Sequence, residues 1–152
     1  MTGWVYHRKS PLQIYGPEGT DQFVSNTLSS YREDIKVRSV APENLDKRAL
    51  ESDVKIIYDG FKYEKNGLQI EAFSVKHEPF THAFGFKISN DKYCAIISGD
   101  TTYSDKVIEK AKNCDLLIHE IAHASEHTLK KFPKARGVIS YHTNAAQVSE
   151  II

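Results

Sequence analysis

The sequence lacks the features that would tie it to a membrane or to an oxidising compartment. No apolar run approaches the roughly 18 residues that a membrane-spanning helix needs, and the N-terminus lacks the basic-then-apolar layout of a signal peptide. Cysteine occurs only twice, at Cys94 and Cys114, and neither belongs to a C-x-x-C pair. We expect both to be buried free thiols, as is typical of a reducing compartment. These features predict a cytoplasmic protein with no membrane partner.

An excess of charge of one sign is also missing. The chain has 20 Lys and Arg residues and 20 Asp and Glu residues, which gives a formal net charge of zero. No overall electric field therefore draws the protein to nucleic acid, although a neutral total does not exclude a local basic patch.

The length and the order of the elements predict the fold class. With 152 residues, of which 40% are apolar, the chain has the size of one domain and can bury a sizeable core. It contains no internal repeat, low-complexity tract or linker. A middle section rich in strands precedes a last third in which strands and helices alternate. This order predicts a layered α/β (α+β) protein with a mixed β-sheet.

Periodicity and turn residues predict the individual elements. A helix is expected from residue 20 or 21 to residue 31, and residues 42–53 are expected to be irregular. Strands are expected near residue 11 and over residues 35–40, 54–58, 61–63, 68–75, 83–88 and 93–97. The dipeptides at residues 59–60 and 66–67, Asp-Gly and Asn-Gly, are strong hairpin signals. A further hairpin is expected across residues 89–92.

The most informative stretch covers residues 93–101, where an apolar run stops abruptly at Asp100. Gly99 allows a sharp turn at the end of this predicted strand. A second short apolar strand ends on His119 and Glu120, and between the two strands a helix is expected with Ser104 as its N-cap. This is a β-α-β unit, and such units present polar side chains along the carboxyl edge of the sheet.

Two histidines add to these carboxylates. His77 ends another predicted strand, and His142 precedes a short helix that Thr143 or Asn144 would cap. A mixture of imidazole nitrogen and carboxylate oxygen suits a metal such as zinc. The alternative is structural, with Asp100 capping the following helix and the two histidines bonded to backbone. Composition and spacing leave both interpretations open.

Five segments in the right order resemble the metallo-β-lactamase superfamily, in its ribonuclease Z and arylsulfatase-like branch. Residues 11–19 resemble the branch's P-L-x-I-Y-G-P-x-G strand and turn, and residues 97–101 contain its S-G-D-T motif. The other matches are a histidine before a strand at residues 77–88, an L-I-H-E strand at residues 117–120 and an H-S/T motif at residues 142–143. The resemblance implies a partial αββα sandwich with a mixed sheet.

The resemblance also implies roles for four residues. His77 would bind one metal ion and Asp100 would bridge two Zn²⁺ ions, with Mn²⁺ as an alternative metal. His142 would act as the general acid, and Glu120 would orient it. A metal-activated water would then cleave a phosphodiester or another ester.

The chain departs from the family where most of the metal ligands are expected. The H-x-H-x-D-H motif and the last histidine ligand are absent, so two of the seven expected ligands remain, His77 and Asp100. We therefore expect residues 1–152 to be a single domain truncated at both ends, inactive alone, in which Met1 is an internal residue of a longer parent. An uncovered sheet face would favour a homodimer.

The substrate and two alternative interpretations stay open. Only 23 positions separate His77 from Asp100, so the transfer-RNA-binding arm of the family is not evident there. This favours a small-molecule ester over transfer RNA, with RNA still a candidate substrate. The first alternative is a non-catalytic binding or oligomerisation module with a degenerate metal site. The second is an unrelated α/β domain with accidental motifs.

Overall fold

A computed structural model describes residues 2–151, which divide into two compact units, Met1–Ile57 and Tyr58–Ile152. Both units mix helices and strands, and the sheet of the second contains parallel and antiparallel pairs, which confirms the predicted fold class. The expectation of one domain over residues 1–152 stays a prediction, and its two terminal residues lie outside the described part. No helix in the described part is long and apolar enough to cross a membrane.

The first unit is built on two parallel strands and three helices. Strands β1 (Leu12–Gly16) and β2 (Ser52–Ile56) pair in parallel over their full lengths. The α-helices are α1 (Thr2–Val5), α2 (Thr20–Ser30) and α3 (Arg32–Arg38), and a short 3₁₀ helix covers Lys47–Leu50. Trp4 is 1% exposed at the centre of this unit's core, and its Nε1 donates a hydrogen bond to the Asp46 carbonyl oxygen at 2.8 Å.

Helix α3 corrects the strand predicted over residues 35–40. The alternation of apolar and polar residues there suggested a strand, but the local charges favour a helix. Glu33 and Asp34 lie in the first turn, and Lys36 and Arg38 lie in the last turn, as the helix dipole prefers. Asp34 and Arg38 also form an i,i+4 ion pair at 3.0 Å.

The second unit contains a five-stranded mixed sheet in the order β3-β4-β5-β6-β7. These strands are Lys62–Lys65, Leu68–Ser74, Phe84–Ser89, Cys94–Ile97 and Leu116–Ile118. The first three pairs are antiparallel, whereas β6 and β7 are parallel. Helix α4 (Asp105–Ala111) joins β6 to β7, which confirms the predicted β-α-β unit. The unit ends in three short helices, α5 (Glu126–Lys131), α6 (Ala135–Ile139) and α7 (Ala145–Ser149).

The core of the second unit lies between helix α4 and one face of the sheet. Phe73, Ile96 and Val107 are each completely buried there. On the opposite face of the sheet, Leu116 and Ile118 are 53% and 51% exposed. Helix α4 is held on its face by an ion pair between Lys110 and Glu71 at 2.8 Å. The sheet therefore has one covered face and apolar side chains still exposed on the other.

One of the two Gly-containing hairpin signals forms the predicted turn. Asn66 and Gly67 both have positive φ and connect β3 to β4, as a type I′ turn requires. The hairpin across residues 89–92 also forms, between β5 and β6. No hairpin forms at Asp59 and Gly60, because β2 pairs with β1 and β3 pairs with β4. Asp59 instead accepts a hydrogen bond from the Ser74 amide at 2.8 Å and pairs with Lys106 at 2.6 Å.

The expectation that Cys94 and Cys114 are free thiols is wrong. A disulfide bond joins them, with their Cα atoms 4.7 Å apart. Cys94 begins β6 and Cys114 directly precedes β7, and the Asp115 amide donates to the Cys94 carbonyl oxygen at 2.9 Å. This pairing places the two cysteines side by side although 20 positions separate them. The cysteine argument for a reducing compartment therefore no longer applies.

Candidate functional site

The parallel pair β6 and β7 presents two acidic residues at one edge of the sheet. Asp100 lies three positions beyond Ile97, the end of β6, and Glu120 lies two positions beyond Ile118, the end of β7. Gly99 has a φ of 64°, and a Cβ at this position would clash with the Phe84 carbonyl oxygen. The turn that leads to Asp100 therefore requires glycine both for its conformation and for space.

Glu120 is the centre of the candidate site. Its Oε1 accepts a hydrogen bond from the Thr143 amide at 2.8 Å and a longer one from the Thr101 amide at 3.4 Å. Its Oε2 lies 3.2 Å from Nδ1 of His142. The Glu120 side chain is 15% exposed and that of His142 is 18% exposed, so the pair is largely shielded from water. One carboxylate therefore holds both the loop after β6 and the histidine before α7.

His77 packs against this pair from the end of β4. Its ring centroid lies 4.9 Å from that of His142, and only 8% of the residue is exposed. Nδ1 of His77 lies 3.0 Å from the Tyr141 carbonyl oxygen. The Phe80 ring stacks on His77 at 5.3 Å with an interplanar angle of 8°. Because Nδ1 faces a carbonyl oxygen, Nδ1 carries the proton and Nε2 is left as an acceptor.

Two buried threonines join the loops that carry these histidines. The Thr143 hydroxyl donates to the Thr101 carbonyl oxygen at 2.7 Å, and both residues have no exposed surface. The Thr102 amide donates to the Lys76 carbonyl oxygen at 2.8 Å, directly before His77. The segments after β4, after β6 and before α7 are therefore joined by hydrogen bonds at the sheet edge.

Asp100 lies at the same edge but outside this network. Its side chain is exposed, and within residues 2–151 it makes no hydrogen bond or ion pair. The structural alternative for Asp100 is wrong, because Ser104 is the N-cap of α4 and its hydroxyl accepts from the Val107 amide at 3.3 Å. For His77 the alternative holds in part, since one ring nitrogen does face backbone. His142 instead faces the Glu120 carboxylate.

The donor chemistry of this edge suits a divalent metal, but the number of donors is small. A histidine that binds metal through one nitrogen commonly donates its other N–H to a carbonyl or carboxylate, as His77 does toward Tyr141. Asp100 would supply a carboxylate oxygen. Within the described residues, however, no group of three or more His, Cys, Asp or Glu side chains converges on one point. The two predicted ligands, His77 and Asp100, are therefore not part of a complete metal site within the described residues.

Sequence reasoning missed several members of the network. The backbone amides of Thr101 and Thr143 bind the Glu120 carboxylate, and the Ser98 hydroxyl accepts from the Glu120 amide at 3.1 Å. Their signal was their place beside the acidic and histidine residues of the S-G-D-T and H-S/T segments. His119 makes a 2.7 Å contact from Nδ1 to the Glu120 carbonyl oxygen, and its buried Nε2 has no described partner.

Comparison with known proteins shows which proteins the chain resembles. No family model matches the chain. The chain is 26% identical over 152 residues to the ribonuclease Z of Mycobacterium tuberculosis (strain H37Rv), and the match covers 98% of the chain. Over nearly its whole length the chain is similar to ribonuclease Z. The chain spans 55% of the length of that relative.

Two solved structures show that this ribonuclease Z-like chain has the metallo-β-lactamase fold. The short form of human tRNase Z matches with a TM-score of 0.60 and 18% identity, over 95% of the chain and 57% of the human protein. The metallo-β-lactamase fold protein YhfI from Bacillus subtilis matches with a TM-score of 0.57 and 16% identity, over 93% of the chain and 46% of that protein. At these identities the likeness concerns the fold. The predicted resemblance and the predicted fold class are therefore confirmed.

Proposed function

We propose that this chain forms part of a metal-dependent hydrolase that cleaves phosphodiester bonds in RNA. The observation that carries the proposal is the Glu120–His142 pair at 3.2 Å, next to a buried His77 whose Nδ1 is already occupied. A ribonuclease Z is similar to the chain over 98% of its length, which supports RNA over the small esters that the sequence favoured.

In this proposal His77 and Asp100 are metal ligands. His77 would bind through Nε2, because Nδ1 faces the Tyr141 carbonyl oxygen at 3.0 Å. Asp100 would bind through its exposed carboxylate. When bound, Zn²⁺ or Mn²⁺ lowers the pKa of a water molecule and neutralises charge that develops at a phosphoryl group. The remaining ligands would come from outside the described residues, since no group of three or more His, Cys, Asp or Glu side chains among these is arranged to hold a metal.

His142 would donate a proton to the leaving group, and Glu120 would orient His142. Glu120 accepts the Nδ1–H of His142, so the proton that His142 gives to the leaving oxygen is held at Nε2. The Thr143 and Thr101 amides keep the Glu120 carboxylate in place. Glu120 is therefore a positioning residue, and His142 is the general acid.

Zinc titration followed by nuclear magnetic resonance of the histidine side chains tests the ligand assignment. We expect the ring signals of His77 to shift as zinc is added, and Asp100→Asn to weaken that response. Asp105→Asn is the matched control, because Asp105 is also exposed but lies in the first turn of α4. A His77 signal that does not respond to zinc, or an equal loss in the control variant, would contradict the assignment.

The incomplete ligand set leads to a second expectation for the chain alone. Two ligands hold a metal weakly, because tight binding needs a full and preorganised set. After exposure to zinc and desalting, elemental analysis should find much less than one metal per chain, and the chain alone should not hydrolyse a small phosphodiester. One or more tightly held metals per chain would contradict this expectation.

The non-catalytic binding module remains a second candidate, favoured by the lack of a third donor within residues 2–151. In a longer protein that contains this chain, His142→Ala should lower hydrolysis and leave the metal bound. Loss of the metal would make His142 a ligand, and unchanged hydrolysis would refute its role as the general acid. No hydrolysis by the unsubstituted longer protein would favour the binding module. The predicted homodimer would bury Leu116 and Ile118, which are half exposed; a monomer in sedimentation experiments would exclude it. Cytoplasmic location stays a prediction.

A further inference from the structure

One segment beside the candidate site has an excess of positive charge although the whole chain is neutral. Residues 123–141, here called the basic excursion, lie between Glu120 and His142 and contain helices α5 and α6. Four cations and one anion, Glu126, give the segment a formal charge of +3, whereas the whole chain has zero. The rest of the chain therefore carries −3.

Hydrogen bonds hold both ends of the basic excursion at the candidate site. The Ala122 amide donates to the Thr143 carbonyl oxygen at 3.0 Å, which closes the base of the segment. The Thr143 amide in turn donates to the Glu120 carboxylate at 2.8 Å. The basic excursion thus begins just after Glu120 and ends just before His142. A molecule bound to it would contact residues that are close in sequence to His142.

The inner and outer surfaces of the basic excursion differ in chemistry. Arg136 pairs with Glu126 at 3.0 Å and joins the two helices, while Leu129, Ala135 and Ile139 are half-buried. The outer residues are exposed: Lys130, Lys131, Phe132 and Lys134.

The outer surface combines unpaired cations with an aromatic ring. Lys130, Lys131 and Lys134 form no ion pair with any residue in the range 2–151. The Phe132 ring is 56% exposed, and Nζ of Lys131 lies 5.5 Å from its centroid. Phe132 thus places an exposed aromatic ring directly beside these lysines.

An exposed ring between lysines suits single-stranded nucleic acid. Bases stack on aromatic side chains while cations bind the flanking phosphates. We propose that the basic excursion is a binding surface for single-stranded RNA, with Phe132 stacking on a base and Lys130, Lys131 and Lys134 contacting phosphates. This inference rests on the proposed hydrolysis of RNA and names the surface that would hold the substrate next to His142.

Binding of a short fluorescein-labelled single-stranded RNA, measured by anisotropy in the presence of a chelator, tests this surface without any contribution from bound metal. Replacing all three lysines by alanine (K130A/K131A/K134A) should weaken binding at low salt by about 10- to 100-fold. It should also make the slope of log affinity against log salt less negative by about 2, since each phosphate contact contributes about 0.7. Phe132→Ala should weaken binding on the order of tenfold, and Phe132→Tyr should restore it.

A matched triple variant controls for the loss of charge itself. Lys62, Lys65 and Lys92 are exposed and unpaired within the described residues, and they lie on strand β3 and in the β5–β6 turn. The variant K62A/K65A/K92A removes the same charge and should change binding by less than about threefold. All replaced residues are exposed, so circular dichroism and thermal unfolding should match the parent chain.

The proposal is overturned if the parent chain does not bind RNA at low salt, or if the control triple variant loses as much affinity. It is also overturned if inorganic polyphosphate or anionic phosphatidylserine vesicles bind as well as RNA and Phe132→Ala has no effect, because the surface would then recognise negative charge alone. A failure of the proposed hydrolase function can be distinguished from a failure of the proposed RNA-binding surface. It would appear in the zinc titration of His77 and leave RNA binding in chelator unchanged.

Discussion

Removal of the Glu120 carboxylate should destabilise the chain more than removal of any exposed acidic side chain. In Glu120→Ala the amides of Thr143 and Thr101, both in residues with no exposed surface, lose their acceptor. A buried donor left without a partner costs about 1–3 kcal/mol. The 2.8 Å bond to Thr143 belongs at the upper end of this range and the 3.4 Å bond to Thr101 at the lower end. Together they give about 4 kcal/mol, or a fall of about 8–16 °C in Tm.

Urea unfolding monitored by circular dichroism measures this loss directly. Glu126→Ala is the matched control, because its ion pair with Arg136 is exposed, at 71% and 56%, and contributes less than about 1 kcal/mol. Glu120→Gln should recover most of the stability, because the glutamine carbonyl can accept the Thr143 amide. The NH₂ group of the glutamine would then face Nδ1 of His142 as a donor. The ring should therefore change its tautomer, and its ¹⁵N signals should report this change. If Glu120→Ala were no less stable than Glu126→Ala, the network described here would not hold the loops together.

The other predictions concern the turn before Asp100, one ion pair and the disulfide. Gly99→Ala should destabilise the chain by more than about 2 kcal/mol in urea unfolding, because φ is 64° and the new Cβ meets the Phe84 carbonyl oxygen; Gly137→Ala, in an open position, is the control. The side-chain hydrogen bond from Lys106 and the hydrogen bond from the Ser74 amide lower the pKa of Asp59. The ionised Asp59 therefore stabilises the folded chain fully above the unfolded pKa of about 4, and this stabilisation is lost as pH falls through the folded pKa. Asp59→Asn should therefore be slightly less stable than the parent at neutral pH and equally stable at the lowest pH, and a constant difference would contradict this. Reduction of the Cys94–Cys114 disulfide opens a loop spanning 20 positions and should lower the unfolding free energy by about 3 kcal/mol. A Cys94→Ser/Cys114→Ser variant should not respond to the reductant, and an unchanged parent would argue against the bond.

The parts of the fold with local signals could be predicted from the sequence. Asn66 and Gly67 supply the two positive φ angles of a type I′ turn, and Ser104 supplies the cap of α4, so both features follow from a few neighbouring residues. The conformation at Asp59 and Gly60 depends on residues that are distant in the sequence. These residues have the composition of a hairpin turn, but the competing pairing of β2 with β1 decides the outcome.

The candidate site shows the same division. Its strand-end residues, Asp100 and Glu120, follow from two apolar runs that stop at carboxylates, because parallel strands end at one edge. The pairing of Glu120 with Thr143 and His142 depends on a return of the chain over 22 positions, which periodicity does not encode. The disulfide is similar, since the register of β6 on β7 brings Cys94 beside Cys114.

The position of Glu120 couples the stability of the loops to the state of His142. One carboxylate oxygen accepts two buried amides, and the other faces the imidazole, so the side chain cannot turn toward either partner without losing the other. A substitution that removes the carboxylate must therefore lower stability and change His142 together. The basic excursion is different, because its outer lysines and Phe132 are exposed and hold nothing in place. Changes there should alter RNA binding while the free energy of unfolding stays the same, so the two surfaces can be tested independently in the same chain.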